Sequence, residues 1–415
     1  MERTILHCDC NGFFASVECV RAPQLREVPM AVCGNPENRH GIILAKNELA
    51  KRCGVTTAET IWQARKKCPE LVLVPPHHEE YARYSRLVNA IYARYTDLVE
   101  PFGIDESWLD VTGSRLLFGD GPTIADRLRR EVREELGLTI SVGVSFNKVF
   151  AKLGSDYRKP DATTVIPRDK VAEIVYPLPV SDLLYVGKAA AQTLNKLYIR
   201  TIGDLAQADR TLVVKALGKL GEMIHDYANG LDDSPVRSID DKREVKSVGN
   251  GITFSRNLVG WEDIHVGVLA LADSVASRLR AAGLKCQTVQ VIVKNPALKS
   301  ISRQQALPAS TDLAREISDA AMRILRGCWN ERAPIRMLTI TALQLTTEDT
   351  GEQLSLFEPD PTPRRERQER LEAAMDRIRG KYGHAAIQSC AVWKNDIGAA
   401  AEEKDGEAVD HLTAE

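Results

Sequence analysis

The chain has 415 residues, of which 44% are hydrophobic, 27% charged and 6% aromatic, with a net charge of −2. This composition excludes a disordered or fibrous protein, and the length predicts about two to four domains. The sequence has neither an apolar run of about 18 residues nor a signal peptide, so we expect no membrane association and a cytoplasmic protein.

The small net charge averages over two segments of opposite sign. Residues 243–345 hold 14 Lys and Arg against 8 Asp and Glu, a net +6, whereas residues 348–415 hold 9 against 16, a net −7. A basic module followed by an acidic tail suits phosphate contact in the first and solvation in the second. A surface that is merely solvated is the alternative interpretation.

The N-terminal third alternates strand-like and helix-like segments. Apolar alternation predicts strands, and apolar residues at helical spacing predict amphipathic helices. In chain order the predictions are a strand at 4–8, a turn into a helix at 12–18, a strand-turn-strand at 98–111, a helix at 124–136 and a strand at 138–144. This order indicates a mixed sheet backed by helices on one face.

Three acidic residues lie at the ends of these strands. Asp9 follows the first strand, and Asp105 and Glu106 interrupt the strand-turn-strand. Converging carboxylates repel one another, and Mg²⁺ relieves that repulsion through oxygen ligands. The three acids therefore predict a site for two Mg²⁺ ions that supports in-line phosphoryl transfer. A lone Asp-Glu pair more often marks only a solvated turn.

The remainder of the chain divides into segments of different character. Short helical stretches at 171–231 predict a small helical domain, and the charged segment 240–247 predicts a linker. A compact α+β module is expected next, followed by a charged helix and a disordered end. Its predicted elements are helices at 266–282 and 313–329, strands at 289–294 and 337–343, a charged helix at 364–382 and disorder at 398–415.

Three long motifs occur in the first 162 residues. They are ILHCDCNGFFASVE, GIDESWLDVTG and SVGVSFNKVFAKLGSDYRKPDA, in that order. Together they resemble the Y-family DNA polymerases, most closely the DNA polymerase IV type, and a looser similarity continues to about residue 345. The resemblance implies a template-directed, error-prone DNA polymerase of low processivity that performs translesion synthesis on primer-template DNA with deoxynucleoside triphosphates, as a monomer.

The resemblance also implies the architecture of a right hand. The expected fold is α+β and multidomain, with a ferredoxin-like palm, small fingers, a helical thumb containing a helix-hairpin-helix, and an α+β little finger. The expected boundaries are palm 1–12 and 76–168, fingers 13–75, thumb 169–239, linker 240–247, little finger 248–346 and a C-terminal tail 347–415.

By the match of motifs, Asp9, Asp105 and Glu106 look like the family's catalytic, metal-binding acids, and the carbonyl of Cys10 is a further metal ligand. Phe14 matches the steric gate, a ring beneath the sugar that excludes a ribose 2′-hydroxyl.

The same match assigns further residues to substrate binding. Phe13 neighbours the gate; the alternative interpretation is that both rings are core residues. Lys159 matches the lysine that contacts the triphosphate, a role suited to a point charge. Lys51 stands where the family commonly has arginine and Glu48 where it commonly has tyrosine; lysine lacks the bidentate fork, and an acid repels phosphate. Lys46 or Arg52 is a candidate for compensating these departures, and a charge-rich surface helix is the alternative interpretation.

Two further segments resemble contact motifs. The stretch at 184–189 is similar to a helix-hairpin-helix, in which Gly187 and Lys188 would present backbone N–H groups to DNA phosphate, with Tyr185 in place of the usual glycine. The segment 353–357 resembles a peptide that binds the sliding clamp, the DNA polymerase III beta subunit. Its expected contact residues are Gln353, Leu354, Leu356 and Phe357.

Two alternatives to an active polymerase remain open at the level of sequence. One is a clamp-bound DNA-binding accessory factor of the same family with a weak or inactive site, against which the intact acids argue. The other is a nucleotidyl cyclase with a similar palm, which predicts neither the helical thumb-like segment nor the clamp peptide.

Overall fold

The computed structural model describes residues 2–34, 41–241, 244–347, 363–393 and 395–399. They form two compact units, the first within residues 2–241 and the second within residues 244–399. Within these described residues, every helix is too short or too polar to cross a bilayer.

The first unit contains two sheets and a set of helices. Its strands are β1 (Ile5–Cys10), β2 (Met30–Cys33), β3 (Ile43–Lys46), β4 (Val72–Val74), β5 (Val99–Pro101), β6 (Glu106–Asp110), β7 (Ile140–Ser145) and β8 (Thr163–Ile166). Its α-helices are α1 (Phe13–Arg21), α2 (Glu48–Arg52), α3 (Ile61–Lys67), α4 (His78–Tyr92), α5 (Arg115–Phe118), α6 (Gly121–Leu136), α7 (Lys148–Tyr157), α8 (Val171–Ile174), α9 (Lys188–Lys196), α10 (Ile202–Gln207), α11 (Arg210–Leu217) and α12 (Lys219–Ala228).

The larger sheet has five strands in the order β5-β6-β1-β7-β8, and β1 pairs antiparallel with both neighbours. All six residues of β1 are buried, because the sheet is covered on both faces. Leu6, Cys8 and Cys10 join a core with α1, α4 and α6, whereas Ile5 packs with Ala151 of α7 on the opposite face. The prediction of helices on one face was therefore incomplete, since α7 lies on the other.

The smaller sheet carries three strands in the order β3-β2-β4. Its helices begin at polar caps that satisfy exposed N–H groups: the Asn47 side chain accepts from Ala50 N–H at the start of α2, and Thr60 forms a capping box with Gln63 at the start of α3. Helices α8 to α12 then form the predicted small helical region, whose apolar core also includes Phe150 and Leu153 of α7 and Ile166 of β8.

The second unit is a four-stranded antiparallel sheet in the order β11-β10-β12-β9, packed against two long helices. Its elements are β9 (Ser247–Leu258), α13 (Gly260–Ala281), β10 (Leu284–Lys294), β11 (Ser300–Thr311), α14 (Ala314–Cys328), β12 (Ile335–Thr347) and α15 (Pro363–Tyr382). The predicted helices and two predicted strands are present. Strands β9 and β11 were not predicted, and β9 begins at Ser247, the last residue of the predicted linker.

The charged helix predicted at 364–382 is present as α15, and it contacts α13 of the same unit through ion pairs. Arg280 of α13 contacts Glu372 at 2.5 Å and Asp376 at 2.6 Å, and Arg379 contacts Asp273 at 2.7 Å. After α15, the N–H of Ser255 on edge strand β9 donates to the carbonyl of Ile397 at 3.0 Å. Val392, Ile397 and Ala399 are buried in the core of this unit.

Candidate active site

Strand pairing places two of the three predicted acids face to face. In the antiparallel register of β1 and β6, Asp9 is directly opposite Glu106, so both side chains lie on the same face of the sheet. His7 is on that face too, two residues before Asp9. Among the described residues, one ligand atom each of His7, Asp9 and Glu106 lies within 4.8 Å of the others.

Asp105, the third predicted acid, immediately precedes β6 and its carbonyl accepts the N–H of Cys10 at 2.9 Å. Burial, followed by the negative charges of Asp9 and Glu106, raises the pKa of Asp105 to about 6. The Asp105 carboxyl therefore lies close enough to the other two acids to be repelled by both, although it is outside the tightest cluster.

Two lysines neutralise the facing carboxylates. The Nζ of Lys152 lies 2.5 Å from Glu106 Oε2 and 3.5 Å from Asp9 Oδ2, and the Nζ of Lys159 lies 2.8 Å from Asp9 Oδ2. Burial alone would raise the pKa of Glu106, but the facing His7 ring, 3.4 Å away, and the charge of Lys152 lower it to about 2. The ammonium groups of Lys152 and Lys159 therefore contact the same carboxylate oxygens that could bind metal cations.

Helix α7 reaches the carboxylates because two glycines let it approach β7 closely. A Cβ on Gly143 would lie 1.9 Å from the carbonyl oxygen of Ala151, and a Cβ on Gly154 would lie 2.9 Å from the Cα of Gly143. This contact brings Lys152 and Ser155 to the site. Sequence reasoning missed both residues, although they lie inside the third long motif; the two glycines there were the available signal.

The predicted steric gate lies on the first turns of α1. Gly12 precedes this helix with φ of 53°, a left-handed conformation, and a Cβ there would lie 3.1 Å from the carbonyl oxygen of Lys46. The half-buried Phe14 ring stacks on Tyr81 with centroids 4.0 Å apart, whereas Phe13 is buried in the core. Tyr81 is itself fixed by a 2.6 Å hydrogen bond that its hydroxyl donates to Glu18.

The predicted triphosphate contacts occupy two different elements. Lys159 follows α7 and contacts both Asp9 and Asp156, the latter at 2.7 Å. Lys51 is exposed on α2 and pairs with Glu48 at 3.3 Å. Lys46 donates to Thr57 at 3.1 Å. The structure therefore brings Lys159, rather than Lys51, into contact with the acids.

The structure describes the predicted DNA contacts but not the predicted clamp contacts. Gly187 and Lys188 are exposed at the start of α9, and Tyr185 has a φ of 67°, the left-handed conformation for which a hairpin glycine is usually needed. Gln353, Leu354, Leu356 and Phe357 lie outside the described residues.

The donor set of the site fits divalent metal ions. Asp9 and Glu106 offer carboxylate oxygens on one face of the sheet, Asp105 adds a third carboxyl, and Mg²⁺ prefers oxygen ligands. Burial, and after it the charges of Asp9 and Glu106, raise the pKa of Asp105, and a bound cation would favour the ionised form of this carboxyl.

Comparisons with known proteins agree with this geometry. Residues 8–156 match the impB/mucB/samB family and residues 245–356 match the C-terminal domain of that family. DNA polymerase IV of Acetivibrio thermocellus is 46% identical, covering 94% of this chain and 97% of the relative. DNA polymerase IV of Moorella thermoacetica is 40% identical, covering 92% and 94%, and that of Clostridium kluyveri is 38% identical, covering 95% and 99%.

Among solved structures, a Y-family DNA polymerase chimera of Dbh and Dpo4 segments shares the fold, with a TM-score of 0.73 at 23% identity over 83% of this chain and 99% of that chain. The predicted right-hand α+β fold is thereby confirmed. The chain belongs to the impB/mucB/samB family, that is, to the Y family of DNA polymerases, and within it to the DNA polymerase IV group.

Proposed function

We propose that Asp9, Asp105 and Glu106 form the catalytic centre at which this chain extends a DNA primer. The chain is a DNA-directed DNA polymerase of the translesion kind, and its substrates are primer-template DNA and deoxynucleoside triphosphates. The observation that carries the assignment of residues is the pairing of Asp9 opposite Glu106 on adjacent strands, with Asp105 alongside.

The proposed cofactor is a pair of Mg²⁺ ions. Asp9, Asp105 and Glu106 would hold them, with the carbonyl of Cys10 as an additional oxygen ligand. When bound, such ions lower the pKa of the attacking 3′-hydroxyl and stabilise negative charge on the leaving pyrophosphate. Lys152 contacts Glu106 and holds it in place. Lys159 contacts Asp9, and its ammonium group could exchange this contact for one with a substrate phosphate.

Sugar and phosphate selection are assigned to the residues around α1 and α7. Phe14, fixed by stacking on Tyr81, would lie beneath the deoxyribose and exclude a 2′-hydroxyl, while Phe13 supports it from the core. Lys159 is the principal triphosphate contact. Lys51, paired with Glu48 in the free protein, would contribute only after that pair separates.

DNA and clamp contacts complete the proposal. The exposed N–H groups at Gly187 and Lys188 would bind a DNA phosphate without reading sequence, so this contact weakens as salt rises. Residues 353–357 would tether the monomeric polymerase to the sliding clamp. All three acids are intact, and two of them, Asp9 and Glu106, face each other across adjacent strands, which favours an active polymerase over an inactive accessory factor.

Primer extension with Mg²⁺ tests the assignment. Asp105→Ala and Glu106→Ala should each abolish extension, because either change removes a carboxylate from the cluster. Glu134→Ala, an exposed acid on α6, is the matched control and should extend normally. Undiminished extension by either active-site variant would refute the metal-binding role of that residue.

A further inference from the structure

His7 is fully buried beside the catalytic carboxylates and has no role in the function proposed so far. Its ring is edge-on to Trp108, with centroids 5.3 Å apart. Its Nδ1 lies 2.8 Å from Ser155 Oγ, and its Nε2 lies 3.4 Å from Glu106 Oε2. Within the described residues, Nε2 makes no hydrogen bond of good geometry, and the carboxylate oxygen recorded near it is Glu106 Oε2.

The protonation of the two ring nitrogens follows from what surrounds them. An ionised carboxylate only accepts hydrogen bonds, so a bare Nε2 lone pair facing Glu106 would be repelled. An N–H at Nε2 is attracted instead, and Nδ1 must then accept a hydrogen from Ser155. The Ser155 hydroxyl is able to donate to either of two acceptors, His7 Nδ1 or the carbonyl of Lys152, each 2.8 Å away.

The same contacts connect His7 to the lysine on the other side of the carboxylate. Ser155 and Lys152 lie on one turn of α7, and Lys152 contacts the same Glu106 oxygen that His7 faces. Glu106 Oε2 is therefore held between a strand residue and a helix residue. Loss of His7 would leave this carboxylate fixed from one side only.

We propose that His7 is a positioning residue that orients the Glu106 carboxylate through its Nε2–H, with Ser155 fixing the ring by donating to Nδ1. This inference rests on the proposed role of Glu106 as a metal-binding acid. Groups that orient a ligand in this way commonly change metal affinity by about 10- to 100-fold when they are removed.

Two amide substitutions separate orientation from packing. The amide nitrogen of glutamine reaches approximately as far as Nε2 of histidine, whereas that of asparagine reaches only as far as Nδ1. His7→Gln therefore keeps a donor towards Glu106, and His7→Asn keeps only the contact with Ser155. His265 is an exposed histidine of the second unit, and His265→Asn is the control for replacing a histidine with asparagine outside the proposed site.

Direct binding of Mn²⁺ to the full-length chain without DNA is the first measurement, made by electron paramagnetic resonance titration. We expect His7→Asn to bind Mn²⁺ about tenfold or more weakly than the unsubstituted chain. His7→Gln should stay within about threefold, and His265→Asn should be unchanged. Both His7 variants should melt within a few degrees of each other.

Steady-state primer extension is the second measurement. His7→Asn should lower kcat and raise the Mg²⁺ concentration needed for half-maximal rate, while KM for the nucleotide stays within about twofold, because His7 acts on Glu106 and not on the base or sugar. Restoration of kcat in His7→Gln would identify the Nε2–H as the group responsible.

Three results would overturn the inference. Equal Mn²⁺ affinity and kcat in the Asn and Gln variants would show that the donor towards Glu106 is unimportant, and parallel loss of melting temperature and activity in both would show a packing role. Coupling of an imidazole nitrogen to bound Mn²⁺ that is present in the unsubstituted chain and absent from His7→Gln would make His7 a ligand. Unchanged Mn²⁺ affinity in Glu106→Gln would instead refute the proposed function itself.

Discussion

Neighbouring acids in this site differ in how they affect the stability of the free protein. Asp105 has its pKa raised from 3.8 to about 6 by burial and by two negative neighbours, whereas His7 and Lys152 lower the pKa of Glu106 to about 2. A raised pKa means that the folded state disfavours the ionised carboxyl, and a lowered pKa means that it favours it. One acid therefore destabilises the metal-free fold at neutral pH, and the other stabilises it.

Asp105→Asn should stabilise the metal-free protein while abolishing primer extension. The folded-state pKa is above the usual value, so the penalty is full above about pH 6 and disappears as pH falls towards 3.8. We expect a gain on the order of 1 to 2 kcal/mol in unfolding free energy near neutral pH, shrinking towards about pH 4. Thermal denaturation in chelator at several pH values measures it.

Glu106→Gln should change the unfolding free energy in the opposite direction in the same experiment. Its stabilising contribution is present above the usual Glu pKa of 4.5 and is lost only as pH falls towards about 2, so the variant should be less stable than the unsubstituted chain near neutral pH. Equal shifts of the same sign in both variants would contradict the electrostatic account.

Phe14→Ala should admit ribonucleotides. Removal of the ring that stacks on Tyr81 opens the space assigned to a 2′-hydroxyl, so the preference for deoxynucleotides, measured as a ratio of kcat/KM values, should fall by about 100-fold. Phe13→Leu is the comparison, because Phe13 is 3% exposed and contacts the Phe14 ring from the core, so it should lower stability and change sugar choice less than Phe14→Ala. A Phe14 variant that still rejects ribonucleotides would remove the gate role.

Candidate site residues that stand in a distinctive motif could be proposed from sequence, whereas contacts that depend on strand register could not. Asp9, Asp105, Glu106 and Lys159 stand in long motifs that indicate their chemistry. His7 also stands in a motif, but its contact with Glu106 depends on which residues of β1 and β6 face each other, and that pairing is set by the folded sheet.

At the scale of elements, the site depends on the close packing of α7 against β7. Gly143→Ala should displace α7, because the added Cβ would lie 1.9 Å from the carbonyl oxygen of Ala151. We expect a loss of about 3 kcal/mol in stability and a large loss of activity, since Lys152 and Ser155 move with the helix. Gly113→Ala, with nothing within 4 Å of the new Cβ, should be neutral in denaturant unfolding and in primer extension.

Helices and strands differed in how well sequence predicted them. Helices α6, α13 and α14 show clear apolar periodicity, and the structure has all three. Strands β9 and β11 lack a clear alternation of apolar and polar residues, because much of each strand is polar or half-exposed. In β9, a Cβ on Gly249 would lie 2.8 Å from Oγ1 of Thr341. Packing therefore favours glycine at this position, although glycine weakens the sequence pattern of a strand.

At the scale of the whole chain, helix α15 contacts the rest of the second unit through charge pairs, whereas Val392, Ile397 and Ala399 after it are buried in the apolar core. Arg379 is 5% exposed in its side chain and makes two hydrogen bonds to Asp273 and two to the carbonyl of Ile387. Because the partners are split between α13 and the segment after α15, this one guanidinium joins three elements.

Arg379→Ala should therefore release the C-terminal segment. Removal of a buried cation leaves Asp273 unpaired, at a cost of about 2 kcal/mol, reduced from the usual range because Asp273 is partly exposed. Residues 363–399 should become sensitive to limited proteolysis, while Arg377→Ala, an exposed arginine of the same helix, should leave the segment protected. Equal protection in both variants would show that apolar burial alone holds the segment.

The segment proposed to bind the clamp lies between two anchored elements, β12, which ends at Thr347, and α15, which begins at Pro363. Deletion of residues 353–357 should leave melting temperature and distributive synthesis unchanged, since both anchors have their own contacts in the second unit. Clamp-dependent synthesis should fall by about 100-fold or more, because tethering acts through local concentration. Alanine at Gln353, Leu356 and Phe357 should reproduce the loss without shortening the chain. Equal loss of distributive and clamp-dependent synthesis, measured on primed circular DNA with and without clamp, would show that the segment serves the fold instead.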